Sequence, residues 1–482
     1  MATLPFFPEP PRPSPPELIV IARPGVEFHE LASAGPLKAA LERAGAALRP
    51  LFGEREAESR AAGRAAVEFA GGDAGALHLE SFHAIDATGA ELEALAACAR
   101  EDPGVEAAYV KPGVVPAVVI PEGLVPGPRP SGPTRDFSPK QGYLDPAPGG
   151  VDARHAWRQQ GGTGAGVRII DVEGGWNSTH EDLLAAAGGL VHGQINPIRW
   201  QSHGTAVMGI LGADHNGIGV MGICPGAVTS GASVFPNGVG RGSAPAIRAA
   251  ADRLGRGDVL LIELHRAGPA AGFQQDPNQY GMIPVEWWPD DFEAIRYATL
   301  RGVIVVSVAG NGEQDLADPI YDTPPAPAGT FPPRWRNPFR RNPVDSGSIL
   351  VGAGAPPGAD AGDLSRLGFS NYGPPVDAQG WGIQVTTTGG IPNLQRSPDG
   401  TRDYTDSFGG TSAAAPMVAG ALACVQGVLR AAGRQPLTPA AARALLRETG
   451  SAQQDGEWGK ITERIGSRPD IRQMLERVVG TM

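Results

Sequence analysis

The sequence predicts an α/β protein with a mostly parallel sheet covered by helices, preceded by a small α+β unit. Two observations carry this prediction. From about residue 150 onward, β-rich runs alternate with helical segments, which is the order that builds a parallel sheet. Residues 17–112 hold strands and helices in under 100 residues, and a proline-rich stretch follows them.

The composition limits the classes of function. The 482 residues include 68 Gly and 47 Pro, about 24% of the chain, which is just below the level typical of low-complexity disorder. Because 41% of the residues are hydrophobic, the chain can still build sizeable cores. A formal charge of −11 without a long basic run argues against a nucleic-acid partner. The apolar runs are too short for a membrane span, so we expect no membrane partner.

Composition divides the chain into four regions. We predict a proline-rich leader at 1–16, an α+β unit at 17–112, a proline-rich linker at 113–149 and the large α/β domain at 150–482. Three widely spaced cysteines argue against a disulfide scaffold or a thiolate zinc site.

The elements of the two folded regions follow from periodicity and β-propensity. In the first unit we predict strands at 18–21, 77–84 and 105–110, with helices near 36–48 and 92–99. In the large domain we predict strands at 167–170, 259–262, 303–306 and 349–351, with helices at 244–254 and 290–300. Functional groups of such sheets gather at the carboxyl ends of the strands.

Four residues in this large domain are candidates for chemistry. Asp171 follows a predicted strand, His203 precedes a segment of small residues, Asn311 follows another strand, and Ser412 lies at the probable start of an apolar helix. Each also has an ordinary structural interpretation: a turn cap, a buried histidine, an asparagine in a tight turn and a helix N-cap.

Together the four residues fit one mechanism. A serine hydroxyl becomes a nucleophile when an imidazole takes its proton, and a buried carboxylate fixes the tautomer of that imidazole. An amide side chain and a backbone N–H at a helix start can then stabilise the oxyanion. The chain order Asp, His, Ser is one of the known orders of this triad.

These motifs make residues 150–450 resemble the subtilisin-like (S8, subtilase) serine proteases. The matching motifs are His-Gly-Thr at His203, Ala-Gly-Asn at Asn311 and Gly-Thr-Ser-Ala-x-x-Pro at Ser412. The resemblance implies a subtilisin-like three-layer fold and an endopeptidase that acts on peptide or protein substrates through an acyl-enzyme. It implies Asp171, His203 and Ser412 as the triad, and Asn311 as an oxyanion donor.

The first unit is similar to the inhibitory propeptides of this family, which are small α+β (ferredoxin-like) domains. This implies that residues 17–112 are an intramolecular inhibitor and that the linker holds a processing site. The alternative is an unrelated α+β domain. No classical signal segment is visible, so we expect either a cytoplasmic zymogen or a protein secreted by an unconventional route.

The chain departs from the family pattern beside the expected substrate cleft. Where the family has Ser-Leu-Gly, this chain has Glu263, Leu264 and His265, and Gly310 precedes the oxyanion asparagine. The resemblance implies that these residues bind substrate. Either the two ionisable side chains change the charge and width of the pocket, or they turn away and only their backbone is used.

One glycine-rich loop is similar to the calcium-binding loop of many family members. The resemblance implies a structural calcium site, since hard cations prefer several oxygen ligands. The alternative is a turn without metal, and we expect no organic cofactor. The candidate ligands are Asp182, Asp214, Asn216, Ile218 and Val220.

Two other classes of function compete with the endopeptidase. A subtilase-fold binding protein without catalysis is disfavoured because all four catalytic positions hold suitable residues. A carboxyl-type relative, with Glu and Asp beside the serine, would be expected to have Asp in place of Asn311.

Overall fold

The computed structural model of the chain describes residues 12–33, 35–53, 55–71, 75–87, 91–121, 123–185, 187–196, 199–235 and 242–480. Most of the predicted leader, residues 1–11, therefore lies outside the described residues.

The N-terminal unit is a four-stranded antiparallel sheet with helices. Its elements are β1 (Glu17–Ala22), α1 (Phe28–Ser33), α2 (Gly35–Ala44), β2 (Ala47–Pro50), α3 (Glu56–Phe69), β3 (Phe82–Asp86), α4 (Leu92–Arg100) and β4 (Val105–Lys111). The strand order β2-β3-β1-β4 is that of the ferredoxin-like, split βαβ arrangement. The prediction of a small α+β unit is confirmed.

Three elements of this unit escaped the sequence analysis. Helix α1 is only six residues long and strand β2 only four, and α3 buries a face of small residues, namely Ser59, Gly63 and Ala66. A face without large apolar side chains gives no apolar repeat, so the helix has no periodic signal in the sequence.

The large domain is built on a seven-stranded parallel sheet. Its order is β14-β13-β12-β9-β6-β8-β7, and every neighbouring pair is parallel. The elements after the N-terminal unit are β5 (Val114–Pro116), α5 (Ala153–Ala156), β6 (Arg168–Glu173), β7 (Ala187–His192), α6 (Arg199–Gly212), β8 (Val228–Ser233), α7 (Ser243–Arg253), β9 (Val259–Ile262), β10 (Leu264–Ala267), β11 (Met282–Pro284), α8 (Pro289–Leu300), β12 (Ile304–Val308), β13 (Ile349–Gly354), β14 (Val376–Trp381), β15 (Val385–Thr388), β16 (Tyr404–Phe408), α9 (Thr411–Ala431), α10 (Pro439–Glu448) and α11 (Ile471–Val479).

Helices cover both faces of this sheet, so the domain has three layers. Alternate residues of each strand point to opposite faces. Ile169 and Leu261 face the core formed with α6 and α9, whereas Ile170 and Leu260 face the core formed with α7 and α8. The predicted α/β fold is confirmed, and each of the four predicted strands overlaps an observed one.

Helix α9 is long and apolar enough to cross a membrane, judged by length and composition alone. Its apolar stretch is completely buried inside the protein, where it packs beneath β9, β12, β13 and β14. It is therefore the central core helix of the large domain.

The expected linker is partly folded onto the large domain. Strand β5 joins a three-stranded antiparallel sheet in the order β11-β10-β5. Further along, Tyr143 is buried and its hydroxyl donates to the Thr386 carbonyl. The boundaries of the four regions stay a prediction, but residues 113–149 are not a free spacer between domains.

A buried ionic cluster joins the N-terminal unit to the large domain. Lys111, at the end of β4, lies with its Nζ against Asp290, 3.4 Å from Asp291 and 3.5 Å from Glu17. Burial alone would lower the pKa of Lys111, but these three carboxylates outweigh it and raise the pKa. Arg266 of β10 approaches the same cluster through Asp291, at 3.4 Å.

We expect Lys111→Met to destabilise the full chain by about 3–5 kcal/mol, because it leaves the buried Asp290 carboxylate without its cation. The measurement is urea unfolding in a Ser412→Ala background. Lys140→Met is the matched control, since Lys140 pairs with Asp406 at 2.9 Å but is 53% exposed. It should cost at most about 1 kcal/mol. Equal losses in the two variants would contradict the assigned role of the cluster.

Candidate active site

Ser412 lies in the first turn of the buried helix α9, where backbone N–H groups have no partner within the helix. Its N–H donates to the Ala117 carbonyl at 3.1 Å. Gly410 precedes the helix with φ +99°, and a Cβ there would lie 2.1 Å from the same carbonyl oxygen. A glycine is therefore required for the chain at Ala117 to approach the helix start so closely.

Asn311 lies beside this helix start, as the sequence motifs predicted. Its Oδ1 accepts from the backbone N–H and from the hydroxyl of Thr411, both at 2.9 Å. These two bonds fix the orientation of the amide. Its Nδ2 donates to Gln279 Oε1 at 3.1 Å, so Gln279 holds the second candidate oxyanion donor in this form of the protein.

His203 is buried on α6, with its ring edge-on to Phe408 at a centroid distance of 5.2 Å. Its Nδ1 lies 2.9 Å from Glu173 Oε1. Among the described residues, neither ring nitrogen has an aligned hydrogen bond, so the pair is close but not yet in hydrogen-bond geometry. Burial lowers the pKa of His203 to about 3, so the imidazole is neutral near neutral pH.

Asp171 does not lie where the sequence analysis expected it. It is inside β6 rather than after it, because the strand continues to Glu173. Its Oδ2 accepts from the Trp176 indole at 2.7 Å, and the structure gives no pair between Asp171 and His203 within ion-pair distance among the described residues. Glu173, which the sequence analysis did not select, takes that place. Alternation along the strand would have placed Asp171 and Glu173 on one face.

Three buried carboxyl groups lie close together beneath Ser412. Burial raises the pKa of Asp171, and the charge of Glu173 adds to this, while the Trp176 indole opposes it. Burial also raises the pKa of Glu173, and the opposing effect of the Gly204 N–H, which lowers it, is smaller. The pKa of Glu263 is raised by burial and then by the charge of Asp171, while the Ser412 hydroxyl acts in the opposite direction.

The chain's own residues 114–119 run through the cleft between β10 and α9. Strand β5 pairs antiparallel with β10, Leu264 facing Pro116 and His265 facing Val115. The Ala117 N–H donates to the Glu263 carbonyl at 3.2 Å.

Beyond Ala117, the same segment keeps to the cleft. The Val119 N–H donates to the Gly409 carbonyl at 3.3 Å, and Gln279 donates to the Val118 carbonyl at 2.6 Å. Hydrogen bonds with residues on both sides of Ser412 thus hold the backbone of Ala117 and Val118 in place. The Ser412 hydroxyl meanwhile donates to the Glu263 carbonyl at 3.5 Å and not to His203.

The two ionisable side chains that the sequence analysis placed beside the cleft, Glu263 and His265, are fully buried. His265 is fully buried and its Nδ1 accepts from the Asn311 N–H at 3.3 Å. Gly310 is covered, since a Cβ there would lie 2.8 Å from Asn371 and 3.1 Å from the Met282 carbonyl. The backbone of β10 pairs with residues 114–116, and Val115 also packs against Ala267 and Met282.

The side chains proposed as calcium ligands accept hydrogen bonds from the protein. The Asp182 carboxylate accepts from Asn216 Nδ2 at 2.9 Å and from the Val220 N–H at 2.8 Å. Asp214 accepts from two backbone N–H groups, and Asn216 Oδ1 accepts from the Ile218 N–H at 3.0 Å. The side-chain oxygens of Asp182, Asp214 and Asn216 therefore already have protein donors. The described residues contain no group of three or more His, Cys, Asp or Glu side chains that could hold a metal ion.

Comparisons with known proteins agree with this geometry. The family model described as "Subtilase family" matches residues 191–466. Subtilisin BL of Lederbergia lenta is 29% identical over 272 residues, which cover 56% of this chain and 80% of that protein. An alkaline protease of Alkalihalobacillus alcalophilus is also 29% identical, over 56% of this chain and 57% of its own length.

A solved structure is similar over nearly the whole chain. Fervidolysin from Fervidobacterium pennivorans, described as a keratinolytic enzyme related to subtilisin, matches with a TM-score of 0.55 and 16% identity. The match covers 96% of this chain and 61% of fervidolysin. At this identity the likeness concerns the fold alone.

We expect a calcium chelator to shift the melting temperature of the full chain by less than about 1 °C, because the side-chain oxygens of the loop already accept hydrogen bonds from the protein. Differential scanning fluorimetry with and without EDTA measures this. A fall of several degrees that calcium restores in the parent, but not in Asp182→Asn, would show instead that the loop reopens to bind the ion.

The raised pKa of Glu263 gives a prediction with a definite sign. Above pH 4.5, the ordinary pKa of a glutamate carboxyl group, the unfolded chain releases a proton that the folded chain keeps, so this group lowers the stability as pH rises towards its folded pKa. The loss amounts to at most about 1.4 kcal/mol per pH unit.

In a Ser412→Ala background, Glu263→Gln should therefore raise the melting temperature more at pH 8 than at pH 5. Glu457→Gln, at an exposed site, is the control and should give the same small difference at both pH values. A Glu263→Gln effect that is equal at pH 5 and pH 8 would refute the assignment.

Proposed function

Because the chain belongs to the subtilase family of serine proteases, we propose that it is an endopeptidase made as a zymogen that its own N-terminal region inhibits. Ser412 is the nucleophile, His203 the general base and then acid, and the Ser412 N–H and Asn311 hold the oxyanion. The single observation that carries the proposal is the Ser412 N–H donating to the Ala117 carbonyl, 3.1 Å away.

That hydrogen bond also supports one particular processing site, the Ala117–Val118 bond. The Ala117 carbonyl is the group that an oxyanion donor contacts, and antiparallel pairing with β10 aligns the residues before it. In this reaction Ser412 Oγ bonds to the Ala117 carbonyl carbon, and its proton passes to His203. His203 then protonates the Val118 nitrogen as the peptide bond breaks, and water later releases Ala117 from the acyl-enzyme.

Two contacts support the inhibited state before cleavage. The Ser412 hydroxyl donates to the Glu263 carbonyl, so it must rotate towards His203 before it can react. Asn311 Nδ2 donates to Gln279, so one oxyanion donor is engaged elsewhere. The N-terminal unit adds the buried Lys111 cluster, which anchors it beside the cleft.

We expect the purified full chain to cut itself between Ala117 and Val118, giving a large fragment that begins Val-Val-Ile-Pro. Intact mass and N-terminal sequencing of the fragment measure this over time. Ser412→Ala should stay uncut, and a fluorophosphonate probe should label the cut parent but not this variant.

Two variants test whether Ala117–Val118 is the peptide bond that is cut. Ala117→Arg places a long charged side chain at a buried position and should slow cleavage at least tenfold, whereas Val125→Arg, at a residue that is 74% exposed, should leave it unchanged. Cleavage elsewhere in 113–149 would contradict the site but not the peptidase, while a parent that takes up no probe would contradict the peptidase.

A serine–carboxyl peptidase is the second candidate, favoured by the carboxyl group of Glu263 beside the Ser412 hydroxyl. There a glutamate replaces the imidazole as the base. His203→Ala should abolish cleavage if the first candidate holds, whereas Glu263→Gln should keep at least a tenth of the rate. The reverse pattern would establish the carboxyl mechanism.

A further inference from the structure

We propose that Glu173, and not Asp171, is the carboxylate that positions His203 for proton transfer. The inference rests on the proposed peptidase function. The observation behind it is the distance of 2.9 Å between Glu173 Oε1 and His203 Nδ1, with both side chains almost completely buried. Glu173 touches no substrate, so its role is to position the imidazole.

The end of β6 explains why Glu173 is the residue within reach. The strand runs from Arg168 to Glu173, so Glu173 is its last residue at the carboxyl edge of the sheet. Asp171 points to the same face but lies two residues earlier, about 6.6 Å deeper along the strand.

Helix α6 meets the strand at this edge. A Cβ on Gly204, next to His203, would lie 2.3 Å from the Gly175 carbonyl and 2.8 Å from the Trp176 ring. The helix backbone thus packs directly on the turn that follows Glu173, and this brings the imidazole to the end of β6. A glycine at 204 makes that approach sterically feasible.

Asp171 has a different partner. Trp176 donates its indole N–H to Asp171 Oδ2 at 2.7 Å, and an indole can only donate. This contact keeps the Asp171 carboxyl group on the tryptophan. Among the described residues the other oxygen, Oδ1, has no hydrogen-bond partner, so Asp171 makes no hydrogen bond to the imidazole.

The chemistry of the pair follows from its geometry. A carboxylate that accepts from Nδ1–H fixes the tautomer in which Nε2 has a free lone pair for the Ser412 proton. The same carboxylate then stabilises the imidazolium that forms. At 2.9 Å the two groups need only a rotation of the ring, and not a translation, to align, so the hydrogen bond can form in the uncut full chain.

Self-cleavage of the full chain is the readout, since it is intramolecular and its rate depends on no substrate affinity. We expect Glu173→Gln to slow it about 10³–10⁴-fold, the size of loss typical when the orienting carboxylate of a triad becomes an amide. Asp171→Asn should slow it at most about tenfold on the same scale. Glu173→Asp, which is one methylene shorter, should lie between the two.

Proton NMR of the Ser412→Ala full chain reports the pair without any catalysis. The His203 Nδ1–H, assigned by its loss in His203→Ala, should give a strongly deshielded resonance. This resonance should persist in Asp171→Asn and disappear in Glu173→Gln. Melting temperatures of all variants separate a lost contact from a lost fold.

Each outcome supports or overturns the assignment of Glu173 as the carboxylate that positions His203. Glu173→Gln cleaving within tenfold of the parent overturns the inference, as does an Asp171→Asn variant that alone loses cleavage or the resonance. If Glu173→Gln is badly destabilised, the Glu173→Asp rate and resonance decide instead. If the parent neither cleaves nor takes up the fluorophosphonate probe, the proposed function fails, and the resonance pattern alone supports or overturns the Glu173–His203 pair.

Discussion

The start of helix α9 is the constraint on which the rest of the site depends. A helix leaves its first backbone N–H groups without partners, and burial makes an unpaired donor costly. Here the Ser412 N–H is satisfied by the Ala117 carbonyl. The fold therefore needs an acceptor at this point, which the chain's own segment supplies. In the proposed reaction the same N–H stabilises the oxyanion that forms from that carbonyl.

Burial shapes the electrostatics around this contact. His203 is neutral because burial lowers its pKa. Burial has the opposite effect on the carboxyl groups of Asp171, Glu173 and Glu263, whose pKa values it raises. Part of this cover is the segment 114–119, which lies in the cleft. Removal of the segment after cleavage would let water in, and water would favour the charged forms of these groups. In the proposed zymogen, release of the N-terminal unit would therefore also change the charge state of the catalytic groups.

The sequence predicted the parts of the site that local motifs encode. Ser412 begins a helix of small and apolar residues, Asn311 follows a strand, and His203 lies on a buried helix, as the motifs indicated. It placed the end of β6 three residues too early, because Asp and Glu rarely favour a strand and the apolar run stops at Ile170. That boundary decides which carboxylate lies within ion-pair distance of His203 in the structure, and this is Glu173. The calcium loop was suggested by similarity, and the side-chain oxygens of Asp182 and Asn216 accept hydrogen bonds from the protein.

By itself, the sequence determined the fold class and the set of chemical groups, since both depend on local patterns: β-rich runs alternating with helices, and short motifs around a serine, a histidine and an asparagine. Many of the described glycines lie in turns with positive φ or at close approaches, with Gly410 beside Ala117 as the clearest case. Tertiary structure alone decided the pairings. Three pairs form where separate parts of the chain meet: Glu173 with His203, Trp176 with Asp171 and Ala117 with Ser412. A local sequence pattern cannot predict them, because the distance between two such groups depends on how the elements pack.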